Sequence, residues 1–419
     1  MDINSVVRIG FPFNYIDPDP FMVRGEGMYL FDKNEKPYLD LNSGIWNTSF
    51  GYGNKKIEES VMKQMNKLPF CNLVQNQADI QVQYAEKLCD YLGGFSTVLY
   101  TCSGSESVEA AIKSCRKYQQ IKCSPGKKVI GAFELSYHGT SYGAMSISGI
   151  DKEYVMDFHP LLPEIEWIDV PEDLEDSEQW NKILEEFFGK FGDSLAGVIV
   201  EPIFASGGVV EIPSKVLQKL QSLCNESDAL FVVDEVATGF GRTGYPFAFQ
   251  KDEVKPDLLC LSKALNNGFL PLGVLAFSNQ AAEVFANAQE SLEHFSTQGG
   301  NLLSIAAADA VLEIMQEYSS FEVKRKGELL AAELRNQLDS LGVKVRGTGL
   351  MIAIDFNGKG NNEKLMDILE KLKRLGILAY AFNNPGHNLG ISILPPFTIE
   401  EEMFHNISQK FARVFKRFL

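Results

Sequence analysis

Five short, unbroken apolar runs sit in the middle of this chain: Lys128-Val-Ile-Gly-Ala-Phe133, Ala196-Gly-Val-Ile-Val200, Ala229-Leu-Phe-Val-Val233, Leu258-Leu-Cys-Leu261 and Leu272-Gly-Val-Leu-Ala-Phe277. A strand wetted on one face alternates apolar and polar residues. Runs that do not alternate are buried on both faces, as in a sheet flanked by helices. Helical periodicity supplies such elements at Lys55 to Leu68, Ile80 to Tyr91 and Glu106 to Tyr118. The pattern predicts an α/β fold with a mostly parallel sheet.

From about Ser304 the pattern changes to two long helical stretches, a strand-like Lys344 to Phe356, an amphipathic Asn362 to Leu375, further strand-like segments and a final helix from Thr398. This reads as a smaller α+β unit. Near the start, Gly27 to Asp32 and Pro37 to Leu41, joined by Lys33-Asn34-Glu35-Lys36, read as a hairpin. The expected division is a large domain over 51–320, a small one over 321–419, and an N-terminal segment, 1–50, packed on the small domain.

Charge narrows the partners. With 39 Lys+Arg against 55 Asp+Glu the formal charge is −16, the wrong sign for nucleic-acid phosphates or an anionic membrane surface. No run approaches the ~20 apolar residues of a membrane span, and Met1 to Asp19 has no basic leader followed by an apolar stretch. The seven cysteines are scattered, with no C-x-x-C pair, which fits reduced thiols better than disulfides or zinc. The expectation is a cytoplasmic protein without a metal site.

The residues that carry chemistry leave the apolar runs. Asp234 follows one and Lys263 follows the next, so both fall at the carboxyl edge of the sheet, where α/β folds place ligands. A carboxylate and a lysine at neighbouring strand ends suit a pyridine cofactor that carries an aldehyde: the lysine forms a Schiff base and the carboxylate keeps the ring nitrogen protonated. Taken alone, Asp234 reads equally well as a helix cap. Ser103-Gly104-Ser105 opens a helix and reads either as an ordinary N-cap or as a phosphate cradle at the positive end of the helix dipole.

These segments, with Glu106-Ser107-Val108-Glu109-Ala110-Ala111, Tyr137-His138-Gly139, Glu201-Pro202, the run Val236-Ala237-Thr238-Gly239-Phe240-Gly241-Arg242-Thr243-Gly244, and Thr297 ahead of Gly299-Gly300-Asn301, resemble the class III aminotransferases. The similarity extends from about Gly25 to Pro396 in the family's order. It implies the aspartate-aminotransferase fold (fold type I) and pyridoxal 5'-phosphate as cofactor. By resemblance, Lys263 is the Schiff-base lysine and proton shuttle, and the cofactor passes through its pyridoxamine form. Asp234 pairs with the ring nitrogen, Ser103, Gly104 and Ser105 hold the phosphate, and Tyr137 and Val236 sandwich the ring. His138 and Glu201 belong to the cofactor's surroundings, Glu201 at the mouth, where it neutralises an arginine or contacts substrate. Thr297 reaches the cofactor phosphate of a second subunit, which implies a homodimer.

Within the family, Leu41-Asn-Ser-Gly-Ile-Trp46 and Gly51-Tyr52-Gly53 look like ω-aminotransferases that use pyruvate as acceptor. The resemblance makes Trp46 a wall of the substrate pocket, favouring an apolar or long-chain amine. The arginine that clamps a substrate carboxylate in relatives has no counterpart: Ser392 stands at one of its usual places, Asn384-Pro385 at the other, and no arginine lies between Arg374 and Arg413. Diaminononanoate (adenosylmethionine-8-amino-7-oxononanoate) aminotransferase is the alternative, on Ala237-Thr238, Gly143-Ala-Met-Ser146 and Pro256-Asp-Leu-Leu-Cys-Leu261. Thr140 in place of aspartate counts against it. Racemases and aminomutases share the fold and the cofactor residues.

Overall fold

The computed structural model describes residues 21–174 and 176–418. The opening residues 1–20, where no leader is expected, lie outside them. A seven-stranded sheet runs in the spatial order Phe95–Thr101, Gly273–Ser278, Leu258–Leu261, Leu230–Asp234, Leu195–Val200, Val129–Phe133, Ile165–Ile168. Gly273–Ser278 runs antiparallel to both of its neighbours, and the remaining pairs are parallel.

The unbroken apolar runs have the physical cause expected of them. Phe231, Val233, Val198, Val200, Leu259 and Leu261 point into one core, while Leu230, Val232, Ile199, Leu258 and Cys260 point into another on the opposite face, because side chains alternate along each strand. Helix Gly104–Ile121 lies on the second face and buries Val108, Ala111, Ile112 and Cys115 there. It packs so closely that a Cβ at Gly197 would sit 2.7 Å from the Cys115 sulfur.

A second sheet, ordered Lys344–Thr348, Met351–Asp355, Asn388–Ile393, Tyr380–Asn384, is antiparallel throughout. Ile352, Ile354, Ile391 and Ile393 on one face share a core with Phe411 and Phe415 of helix Phe404–Phe418. Met351, Ala353 and Phe382 on the other face pack with Trp46, Ile203, Val209, Ala237 and Leu394, joining this sheet to the carboxyl edge of the first. A third sheet places Met22–Glu26, Tyr29–Asp32 and Pro37–Asp40 beside Ile377–Leu378, which pairs in parallel with Pro37–Asp40.

Three local expectations are corrected. Lys344 to Phe356 is not one strand but a hairpin, because Gly349 turns the chain at φ +54° against Arg242 and Thr243. The last helix starts at Phe404 rather than Thr398, after a short 3-10 turn at Glu401–Met403. Phe95–Thr101 and Ile165–Ile168 are strands that periodicity missed. They are the two edges of the large sheet and are only partly buried, so their sequences mix polar with apolar residues.

Arg242 closes the seam between these parts. It is 1% exposed and forms no ion pair among the described residues. Its Nη1 donates to the carbonyls of Leu350 (3.2 Å) and Pro395 (2.6 Å), and its Nη2 donates to Ser49 Oγ (2.9 Å). The guanidinium also lies 4.7 Å from the Phe397 ring centre. Burial pushes its pKa down to about 9. Replacing it with leucine keeps the volume but strands two carbonyls and a hydroxyl without donors. Arg242→Leu is expected to cost about 2 to 4 kcal/mol of stability, read as a lower urea midpoint; an unchanged midpoint would refute the staple.

Candidate active site

Five parallel strands end at one edge of the large sheet, and the residues following each end meet in a cleft. Thr101 is followed by Ser103, Gly104 and Ser105; Phe133 by Tyr137 and His138; Val200 by Glu201. Leu230–Asp234 ends on Asp234 itself, and Leu261 is followed by Lys263. Trp46 enters from the N-terminal segment. All nine of these predicted residues line the cleft with Val236, beside Gly139, Ala237 and Ser262, which were not among the predicted site residues. Thr297 stands apart, exposed in a turn.

At the floor, Asp234 is 4% exposed. Its Oδ1 accepts the Val236 N–H at 3.0 Å and its Oδ2 lies 2.7 Å from His138 Nδ1. His138 is fixed in turn by its own N–H, which donates to Ser148 Oγ at 2.8 Å, and its buried Nε2 has no protein partner. The carboxylate is thus oriented by the imidazole and the Val236 N–H while each oxygen keeps a free lone pair.

Lys263 opens a 3-10 turn at φ +46°, a left-handed conformation that bends the chain out of the strand. Its Nζ forms no ion pair among the described residues and lies 4.5 Å from the centre of the Trp46 ring. Desolvation lowers its pKa; the negative charges of Asp234 and Glu201 oppose that shift. Lys263 is therefore more readily neutral than an exposed lysine.

Glu201 is not a surface group at the mouth of the cleft. It is 4% exposed. Its Oε1 accepts the Tyr137 N–H at 2.8 Å, and its Oε2 accepts the Ala205 N–H at 3.4 Å. Burial pushes its carboxyl up to about 7, the charges of His138 and Lys263 and the Tyr137 N–H acting in the opposite direction. Burial likewise raises the Tyr137 phenol to about 12, helped by Asp151, Glu201 and Asp234, so the ring is a neutral aromatic face at working pH.

At the start of helix Gly104–Ile121, Ser103 is the N-cap and its hydroxyl accepts the Glu106 N–H at 3.2 Å. The N-cap reading of this serine is the observed one, and the cap leaves the N–H groups of Gly104 and Ser105 without an intrahelical partner. A Cβ on Gly104 would come within 2.9 Å of Val236, and one on Gly139 within 2.1 Å of Ser105 Oγ. The two glycines let the helix start pack closely against Val236 and against the loop after Tyr137. Donors at the helix end, a carboxylate on the floor, an aromatic and an aliphatic face, and an amine of lowered basicity fit pyridoxal phosphate.

The carboxylate clamp is absent from the cleft. Asn384 spends its amide on Ser206 O and Asn388 Oδ1. Ser392 is buried in the second sheet with its hydroxyl unpartnered. Arg346 is committed to Asp355 Oδ2 at 2.7 Å and to the carbonyls of Gly208 and Val209. Among the described residues, no arginine lines the cleft.

Comparison with known proteins identifies a family. The family Aminotransferase class-III matches residues 15–415. An acetylornithine aminotransferase of Aquifex aeolicus is 34% identical over 391 residues, covering 93% of this chain and 95% of that protein. Among solved structures, a transaminase from the marine bacterium Virgibacillus superposes with a TM-score of 0.89 at 28% identity, covering 95% of this chain and 93% of that one. An (S)-enantioselective omega-transaminase from Thermomicrobium roseum gives 0.90 at 27%, covering 98% and 96%.

The electrostatics give a signed prediction. Glu201→Gln removes one of the two negative charges that favour protonated Lys263. The rate at which the cofactor-free protein takes up pyridoxal phosphate, followed by absorbance against pH, is expected to reach half its maximum at lower pH in this variant. A midpoint that stays put or moves to higher pH contradicts the coupling.

Proposed function

Since this chain belongs to the class III aminotransferases, a family that depends on pyridoxal phosphate, and since Trp46 stands over Lys263 in a cleft lined by no arginine, we propose that it moves an amino group from a primary amine with an apolar or long-chain substituent to a keto acid. The position of the Trp46 ring, 4.5 Å from Lys263 Nζ, carries the reading. A donor recognised by shape needs walls, and Trp46, Tyr137 and Val236 supply them.

When bound, pyridoxal phosphate supplies an aldehyde carbon and a protonated ring that draws electron density from the substrate carbon. Lys263 Nζ, its basicity lowered by desolvation, would take the proton from that carbon and return it elsewhere as a general acid. Asp234, oriented by His138 and the Val236 N–H, keeps a negative charge against the ring nitrogen. The N–H groups of Gly104 and Ser105 and the hydroxyls of Ser103 and Ser105 hold the phosphate. Glu201 places Tyr137 through the Tyr137 N–H, so that the phenol ring stacks on one side while Val236 closes the other. Trp46 keeps water from the amine.

The unit that works is a homodimer in the cytoplasm. Met62, Met65, Leu68, Phe70, Leu73 and Val74 are all exposed, an apolar strip that a second copy covers. The strip adjoins the turn bearing Thr297: Gln81 Nε2 donates to both Cys71 O and Gly300 O. This adjacency supports placing Thr297 on the face turned to the neighbouring subunit, from which it would reach that subunit's phosphate.

A panel of amines and amino acids, added singly to the loaded protein while its visible absorbance is followed, tests the reaction. Loss of the band with release of a carbonyl product is the expected result, fastest with amines that lack a carboxylate beside the amino group. A band that returns with the substrate epimerised or its amino group shifted makes the enzyme an isomerase instead. Lys263→Ala is expected to lower turnover by at least about 10³-fold with an unchanged circular dichroism spectrum; retained turnover would remove the lysine from its role.

A further inference from the structure

The segment that carries Trp46 is wound the wrong way. Ser43, Gly44, Ile45 and Trp46 have φ of 47°, 56°, 59° and 66°, four successive residues in the left-handed region. The turn is closed by Trp46 N–H to Asn42 O (2.7 Å) and Asn47 N–H to Ser43 O (2.7 Å). Left-handed turns are unfavourable for L-residues, and most of all for a β-branched one such as Ile45. Ile45 gains little burial in exchange, since it is exposed. A conformation of this kind persists only where its surroundings over-determine it, and such places cluster at functional sites.

The surroundings are identifiable. Asp40 Oδ1 accepts the Asn42 N–H at 2.9 Å and its Oδ2 accepts the Gly44 N–H at 2.7 Å, so one carboxylate spans the entry of the turn. The Tyr52 hydroxyl donates to the same Oδ2 at 2.6 Å. Burial and the Asp40 charge push the Tyr52 phenol well up, which keeps that donor in place. Tyr52 is itself seated by paired main-chain bonds to Gly27, and its ring fills the space where Gly25 would carry a Cβ. On the far side, Ser43 Oγ donates to Leu394 O at 2.5 Å. Neither Asp40 nor Tyr52 lines the cleft.

We propose that Asp40 and Tyr52 form a latch that holds the left-handed turn and so fixes how near the Trp46 indole stands to Lys263, making them positioning residues for substrate size. This rests on the reading of Trp46 as a pocket wall. In an active site without an ionic clamp, the distance from that wall to the lysine decides which substituent fits. The latch sets the distance from outside the cleft.

Tyr52→Phe removes only the hydroxyl. Two measurements on the full-length protein test it. In a Trp167→Phe, Trp180→Phe background, where Trp46 is the sole tryptophan, acrylamide quenching of its fluorescence is read with and without pyridoxal phosphate. Quenching is expected to rise in Tyr52→Phe, and unchanged quenching overturns the latch. In the loaded enzyme, the ratio of kcat/KM for a small amine (isopropylamine) to that for a bulky one (1-naphthylethylamine) is expected to fall about fivefold to tenfold in Tyr52→Phe, through KM more than kcat. A parallel loss on both amines means a structural role alone and also overturns the proposal. Asp40→Asn, which turns an amide NH₂ against a main-chain N–H, is expected to give the same change of ratio. Trp46→Ala in the same assay separates the two ideas: if it moves the ratio and Tyr52→Phe does not, the latch is wrong and the wall stands, and if neither moves it, Trp46 is not the wall.

Discussion

Burial on both faces leaves the parallel strands one place for polar chemistry, their ends. Leu195–Val200 and Leu258–Leu261 are buried at every residue, so a charged side chain within them would enter a dry core without a partner. Past the last ladder bond the constraint lifts. Asp234 pairs in register with Cys260, and Lys263 follows two residues after the end of that neighbouring strand, Leu258–Leu261. Because the strands are parallel, the same edge also receives Ser103, Tyr137 and Glu201 from segments scattered over about a hundred residues. The antiparallel strand Gly273–Ser278 begins at that edge, and it can do so because Gly273 has no side chain: a Cβ there would meet Ser103 O at 2.2 Å.

The cleft is completed from outside the large sheet, and its outer wall is only as firm as the seam that carries it. Arg242 lies eight residues after Asp234 and touches the second sheet at Leu350, the chain beyond Asn388–Ile393 at Pro395, and the N-terminal segment at Ser49. Asn267, four residues after Lys263, binds the Phe50 N–H and Gly51 O. Each of the two groups that define the floor is thus followed closely in sequence by a side chain that grips the segment bearing Trp46. A guanidinium suits this place without an opposing carboxylate: its donors spread over carbonyls on different segments, and its flat face packs on Phe397.

What could be read from the sequence divides along physical lines. Asp234, Lys263 and the Ser103–Ser105 helix start were legible because each follows a strong local signal, an apolar run or a helix onset, and the topology that gathers them is common to parallel sheets. The edge strands Phe95–Thr101 and Ile165–Ile168 were not, since partial exposure removes the apolar signature. Glu201 was read as a group at the mouth; its burial and its bond to the Tyr137 N–H depend on how the chain after Val129–Phe133 folds back over Leu195–Val200, which no local pattern encodes. The four left-handed residues at Ser43 to Trp46 were also invisible. Gly44 is the one residue there whose type suggests positive φ, and the contacts that enforce the rest come from Asp40, Tyr52 and Leu394.

The missing arginine and the left-handed turn belong to one argument. A guanidinium clamp selects its ligand by charge and tolerates some play in the pocket, because a bidentate ion pair draws the carboxylate into register. This cleft offers two carboxylates, a lysine and apolar walls, so that on the function proposed above discrimination rests on shape. Differences of a methylene in an apolar pocket are worth only ~1 to 3 kcal/mol, and they are lost when the wall can move by an ångström. Selection by shape therefore requires a rigid wall. A turn held by Asp40, Tyr52 and Ser43 in a conformation that its own backbone disfavours has few nearby alternatives into which Trp46 can relax, and that rigidity is the property such a pocket needs.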